Sequence, residues 1–266
     1  MRERPHRASD RRPRRGPKTS WDPVAKQYGK MLKEENTFQS DIIFPGALRL
    51  LAPQKGEKYL DIACGEGSFA ALVTKKGGEV VGIDAGSGLI RLANEKRLRG
   101  ATFRVADARR FADLFPNIAF DGATCILALQ NIDDLTAALH EASHLLKPGA
   151  PFVIVLNHPI FRIPRQSGWG WDEQRSLQYR RIDSYLTPNE IPIVANPGQG
   201  ARSAVTYSYH RPLQTYFTEL ANAGFVVDAL EEWTSHKTSD SGPRAKAENR
   251  ARNEIPMFMA LRAIKI

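Results

Sequence analysis

Between residues 58 and 157 the chain switches back and forth between short apolar runs and longer amphipathic ones. The apolar runs are KYLDIA (58–63), EVVGID (79–84), ATFRVA (101–106), AFDGATCILAL (119–129) and PFVIVLN (151–157). A run that is apolar throughout, rather than at every second residue, is buried on both faces. That is the state of a strand in a parallel sheet covered by helices. Helix patterns fall between the runs, at 67–76, 87–98, 109–114 and 133–146, with stops at Gly77-Gly78 and Lys147-Pro148-Gly149. The alternation excludes all-α and all-β folds and predicts an α/β chain with helices on both faces of the sheet.

The flanks read differently. Residues 21–35 (WDPVAKQYGKMLKEE) have a helical pattern, with Pro23 suited to a first turn after Asp22. Residues 41–52 give a second, apolar helix closed by Pro53. After residue 157 the alternation pauses: 158–211 is rich in aromatics, prolines and glycines and has no long periodic run. It resumes with a helix at 212–223 capped by Gly224, a strand at 225–231, a short charged helix, and a last strand at 257–264.

The net charge of +9 sits in two places. Residues 1–18 carry eight Lys or Arg against two acids, and 158–211 seven Arg against four, so the rest of the chain is neutral. Residues 1–20 have no apolar core and contain Pro5, Pro13 and Pro17. They are expected to be a disordered basic tail, not a secretory signal, with at most a weak nucleic-acid contact. No apolar run approaches the ~20 residues that span a bilayer, so no membrane association is expected. Two cysteines, Cys64 and Cys125, build no disulfide framework and point to a cytoplasmic location.

The segment LDIACGEGS (60–68) joins the first strand to its helix. Glycines there let the backbone turn sharply and approach a ligand. Gly65, Gly67 and Ala70 also satisfy the dinucleotide fingerprint, and Asp84 at the end of strand two suits a ribose in either a nicotinamide or an adenosylmethionine site. Two acids separate these readings. Asp61, inside strand one, would repel a diphosphate but attract an ammonium and a sulfonium. Asp107, at the end of strand three, suits an adenine amino group.

These motifs, in this order, resemble the class I S-adenosylmethionine-dependent methyltransferases of the small-molecule type 11 group. LDIACGEGSFA, VVGIDAGSGLI, VADA, FDGATCILALQNI and HEASHLLKPGAPFVIVLNHP carry the resemblance, which extends over residues 21–266. It implies a Rossmann-like seven-stranded sheet of order 3-2-1-4-5-7-6 with strand 7 antiparallel, N-terminal helices and a lid insertion after strand 5. It also implies S-adenosyl-L-methionine as cofactor. Asp61, Ala63, Gly65 and Gly67 would serve its methionine end, Asp84 and Ala85 the ribose, and Asp107 and Ala108 the adenine. Leu127 would line the site, and Tyr28 would lie over it.

Substrates of open α/β sheets sit beyond the carboxyl ends of the strands. That selects Gln130 and Asn131 after strand four, Asn157 and His158 after strand five, and the 158–211 insertion as a substrate-side lid. Trp169, Trp171 and Tyr209 are candidate pocket walls, and arginines such as Arg211 candidate anchors for an anionic acceptor. His158 and His210 are the candidate bases. His140 and His144 share a helix face, but with no third ligand they imply no metal. The expected activity is methyl transfer to an oxygen, nitrogen or carbon atom of a small molecule. The rivals are an RNA- or ribosome-associated methyltransferase and a noncatalytic assembly factor that keeps the cofactor fold.

Overall fold

The structure is a computed structural model that describes residues 36–194 and 205–266. The predicted tail (1–20), the predicted helix at 21–35 and Tyr28 lie outside the described residues.

The five apolar runs become β1 (Lys58–Ile62), β2 (Glu79–Asp84), β3 (Ala101–Val105), β4 (Gly122–Ile126) and β5 (Pro151–Asn157). They pair in parallel in the order β3-β2-β1-β4-β5. The two late strands, β10 (Phe225–Trp233) and β11 (Phe258–Lys265), complete a seven-stranded sheet of order β3-β2-β1-β4-β5-β11-β10. β11 is antiparallel to both of its neighbours. This is the expected topology.

Two apolar layers cover the sheet. Helices α1 (Phe44–Leu51), α2 (Ser68–Lys75) and α3 (Ser87–Glu95) pack on the face that carries Tyr59, Val80, Val153 and Val155. Helices α4 (Leu135–Leu145) and α5 (Leu213–Asn222) cover the other face, over Leu60, Ile62, Cys125 and Ile154. In α4 the buried residues Leu135, Ala138, Leu139 and Ala142 fall on one stripe, and the Asp134 side chain caps its first turn by accepting from the Ala137 amide at 3.0 Å.

Two expectations are corrected. The long fourth strand stops at Ile126, because Leu127 takes a left-handed backbone (φ 54). Its amide still donates to the Val155 carbonyl, while its own carbonyl turns to accept from the Gln130 and Asn131 side chains. The insertion also holds regular structure where no periodicity was evident. β6 (Ser167–Asp172) and β7 (Leu177–Ile182) pair antiparallel, as do β8 (Asn189–Val194) and β9 (Val205–His210). The chain then runs through α5 and β10 to the charged helix α6 (Ala245–Glu254).

Gly67 starts α2 with a left-handed backbone (φ 78), and a Cβ there would lie 2.7 Å from the Phe103 ring. Gly67→Ala is expected to cost about 2 kcal/mol from strain and overpacking. That is a fall of roughly 4–8 °C in Tm for a domain of this size. Adding Phe103→Leu should recover only the steric part. Thermal melts of the single and double variants check both statements.

Candidate active site

A cavity of about 410 Å³ opens beyond the carboxyl ends of β1 to β5. Its floor is the loop between β1 and α2. Ala63 and Gly65 both have left-handed backbones (φ 56 and 57), which folds the loop back under the cavity. A Cβ on Gly65 would meet no atom within 4 Å, so Gly65 presents bare backbone to whatever fills the space.

Asp61 stands at the centre of this floor and is 3% exposed. One carboxylate oxygen accepts from the Thr124 hydroxyl at 2.7 Å. The other, Oδ2, is buried without a hydrogen-bond partner. Burial pushes the carboxyl up to about 7, helped by the charge of nearby Asp84 and opposed by the Thr124 hydrogen bond. Gln130 repeats the pattern: its amide nitrogen donates to the Leu127 carbonyl at 2.8 Å, while its Oε1 is buried and unpartnered. Two orphaned acceptors on one cavity wall suit a cationic donor such as an ammonium group. They would repel a diphosphate.

Asp84 is fixed from both sides. Its Oδ2 accepts from the Gly65 amide at 2.9 Å and its Oδ1 from the Gly86 amide at 2.7 Å. This holds the β1 and β2 loops together with the carboxylate on the cavity wall, beside Ala85. Asp107, after β3, is gripped by Arg109, whose Nη2 lies 2.7 Å from Oδ2 and whose amide donates to Oδ1 at 3.0 Å. Burial raises the Asp107 carboxyl, but these hydrogen bonds and the guanidinium charge outweigh it and hold it below the ordinary value. Ala108 and Leu127 line the cavity as expected.

Other expected residues are placed differently. Gly67 is absent from the wall; it serves the start of α2. His158 is 1% exposed and also off the wall. Its Nδ1 accepts from the Ile160 amide at 3.2 Å, so Nε2 carries the proton and donates to Glu232 at 2.7 Å. Burial lowers its pKa against the pull of Glu232. It locks a corner and reaches no cavity atom. His210 is buried with Nε2 donating to the Tyr185 carbonyl at 2.6 Å. Trp169 and Trp171 belong to the β6–β7 hairpin, stacked by Arg180 and Arg244 at 5.1 and 4.5 Å, and do not line the cavity. Arg211 is buried and donates to backbone carbonyls. Asn157 and Tyr209 do reach the wall.

The structure adds wall residues that the sequence reading did not single out: Gln39, Phe44 and Arg109, then Pro164, Ile193, Thr206 and Ser208. The signal for Thr206 and Ser208 was the run VTYSYH (205–210), whose period-2 alternation of small hydroxyls and larger residues marks a strand.

The sheet order and the acids in β1, at the end of β2 and after β3 around one cavity define the chain as having the class I S-adenosylmethionine-dependent methyltransferase fold. Residues 60–154 match the type 11 family described as "Methyltransferase domain". A solved S-adenosylmethionine-dependent methyltransferase from Mesorhizobium loti is 25% identical and superposes with a TM-score of 0.68, covering 86% of this chain and 100% of that one. A 2-phytyl-1,4-naphtoquinone methyltransferase of Synechococcus elongatus is 33% identical over 127 residues, which is 45% of this chain and 54% of the relative. A demethylmenaquinone methyltransferase of Tropheryma whipplei is 31% identical over 117 residues, 42% of this chain and 47% of that one. The chain thus spans about half the length of the curated relatives it matches.

The folded Asp61 carboxyl, at about 7, takes up a proton that the unfolded chain, with an ordinary carboxyl at 3.8, does not. Its contribution to stability is therefore present at low pH and lost as pH rises between those values. Asp61→Asn keeps an acceptor for Thr124 and removes the buried charge. The ligand-free variant is expected to gain in Tm over wild type as pH goes from 4 to 7, to keep that gain above 7, and to bind S-adenosylmethionine at least tenfold more weakly. Melts across pH and calorimetric titration check both.

Proposed function

We propose that the protein transfers the methyl group of S-adenosylmethionine to a small, largely apolar, oxygen-bearing ring of the quinol type. The observation that carries this reading is the make-up of the cavity beyond β4 and β5. Phe44, Ile126, Pro164 and Ile193 give it apolar walls, and Thr206, Ser208 and Tyr209 give it hydroxyls. The quinone substrates in the names of the curated relatives support the same class. Residues 21–266 then act as one methyltransferase domain, with 158–211 as its substrate-side lid. The two cysteines, Cys64 and Cys125, are unpaired, in accord with a cytoplasmic location. No helix among the described residues is long and apolar enough to cross a membrane.

When bound, S-adenosylmethionine supplies an electrophilic methyl group on a sulfonium whose leaving group is a neutral thioether. The chain's task is alignment and exclusion of water. Asp61 and Gln130 would receive the ammonium, Asp84 and Ala85 would face the ribose, and Asp107 and Ala108 the adenine. The β8–β9 ribbon covers the acceptor side, with Ile193 opposite Thr206 in its register. No histidine is among the described wall residues. The nucleophile of a quinol-type acceptor is its own phenol oxygen or an electron-rich ring carbon, and kcat/KM should follow the acceptor's pKa.

Titration should show binding of S-adenosylmethionine and S-adenosylhomocysteine and none of NAD. Asp84→Ala should weaken both by roughly 10- to 100-fold, the loss of hydrogen bonds to a charged group. Labelled methyl groups should pass to members of a quinol panel. Thr206→Val and Ser208→Ala should each raise the acceptor KM by about 3–10-fold, one hydrogen bond's worth, with cofactor affinity within twofold. Tight cofactor binding with no quinol methylated would overturn the acceptor class.

A further inference from the structure

The loop between β4 and α4 is held by two arginines that approach it from opposite ends of the cavity. Arg109 comes from the adenine side. Its Nε and Nη2 engage Asp107, and its Nη1 lies 3.0 and 3.1 Å from the two carboxylate oxygens of Asp133. Arg211 comes from the acceptor side, one residue beyond the end of β9. Its Nη2 donates to the Ile132 carbonyl at 2.7 Å and to the Asp133 carbonyl at 2.8 Å, and its Nη1 to the Leu129 carbonyl at 3.4 Å. The same guanidinium lies 5.5 Å from the centre of the Tyr209 ring, and Tyr209 is a cavity wall. Asp133 is thus gripped by its side chain from one end and by its backbone from the other.

The chemistry of Arg211 is unusual. It is 9% exposed, and among the described residues no carboxylate lies within ion-pair distance of it. Its charge is offset by carbonyl dipoles, the Tyr209 ring face and a hydrogen bond to the Tyr216 hydroxyl oxygen. The guanidinium presents its donors in a planar fork that spans three carbonyls of one loop, where a lysine ammonium is a compact point charge. A guanidinium buried at that cost does more than fill space.

We propose that Arg109 and Arg211 are positioning residues that tie the adenine end of the cavity to the β8–β9 ribbon through Asp133. A ligand that settles against Asp107 fixes Arg109. Arg109 fixes Asp133, and the loop then holds Arg211 and the strand that carries Thr206, Ser208 and Tyr209. The cofactor so prepares the acceptor wall before the acceptor arrives. This inference rests on the cofactor reading above.

Hydrogen–deuterium exchange of the full chain with and without saturating S-adenosylhomocysteine tests it, on wild type, Asp133→Asn and Arg109→Met. Asp133 is on the surface, and Asp133→Asn leaves its backbone carbonyl to Arg211, so the fold is kept. In wild type the ligand should slow exchange both at 61–67 and at 205–210. In both variants protection at 61–67 should persist, while exchange at 205–210 returns to within twofold of the ligand-free rate. Wild-type protection of 205–210 in Asp133→Asn would overturn the proposal, since direct contact with the ligand would then account for it. So would a rise in exchange there that is equal with and without ligand, the mark of a merely structural role. Absence of protection at 61–67 in wild type is a separate outcome: it removes the cofactor reading, and this inference with it.

Discussion

A carboxylate buried in the middle of a parallel sheet is the constraint around which this protein is arranged. Asp61 sits on β1, the middle of the five parallel strands, with β2 on one side and β4 on the other. The strand positions beside it, Leu60 and Ile62, are core. An ionised group in such a place is costly unless it is paired. Thr124, opposite it on β4, answers one oxygen, and nothing in the described chain answers the other. The rest of the floor is built around that oxygen: the left-handed turns at Ala63 and Gly65 carry the chain below it, and the turn at Leu127 ends β4 just beyond it. The cavity lies where the sheet leaves this charge without a partner of its own.

How much of this was legible in the sequence depends on the kind of signal. The strands were legible because burial on both faces leaves only apolar residues to choose from, and Asp61 stood out for the same reason. The loops after β1, β2 and β3 were legible because a ligand-facing turn restricts residue type to glycine, alanine and an acid. Strand ends were less so. The run through Leu129 is apolar to its end, and only the left-handed φ of Leu127, which no pattern of apolarity records, stops β4 at Ile126.

The insertion was read least well, for a physical reason. Tryptophans and histidines attract a functional reading because they can do chemistry, but they are also what a small hairpin needs when it has no second layer to pack against. Trp169 and Trp171 are covered by Arg180 and Arg244, and Gly170 lies between them because the Tyr179 ring occupies the place of its side chain. His158 and His210 each donate to a single fixed oxygen, a carboxylate and a carbonyl, and so hold corners. The smaller residues of β9 reach the cavity instead.

The same geometry sets the charge along the described cavity wall. The insertion is basic in composition, which suggests an anionic acceptor. None of its described arginines lines the cavity: Arg162 bonds Asn157 and lies over Phe258, Arg180 bonds the Phe161 carbonyl, and Arg211 bonds the β4–α4 loop. The cavity wall itself carries Asp61, Glu66, Asp84, Asp107 and Asp133 against one arginine, Arg109. Glu66 is paired with Lys96, and Asp107 and Asp133 share Arg109, which leaves the field around Asp61 and Asp84 negative. A concave site of one sign concentrates ligands of the other. Such a site draws a sulfonium and an ammonium, the two cationic groups of the cofactor proposed above.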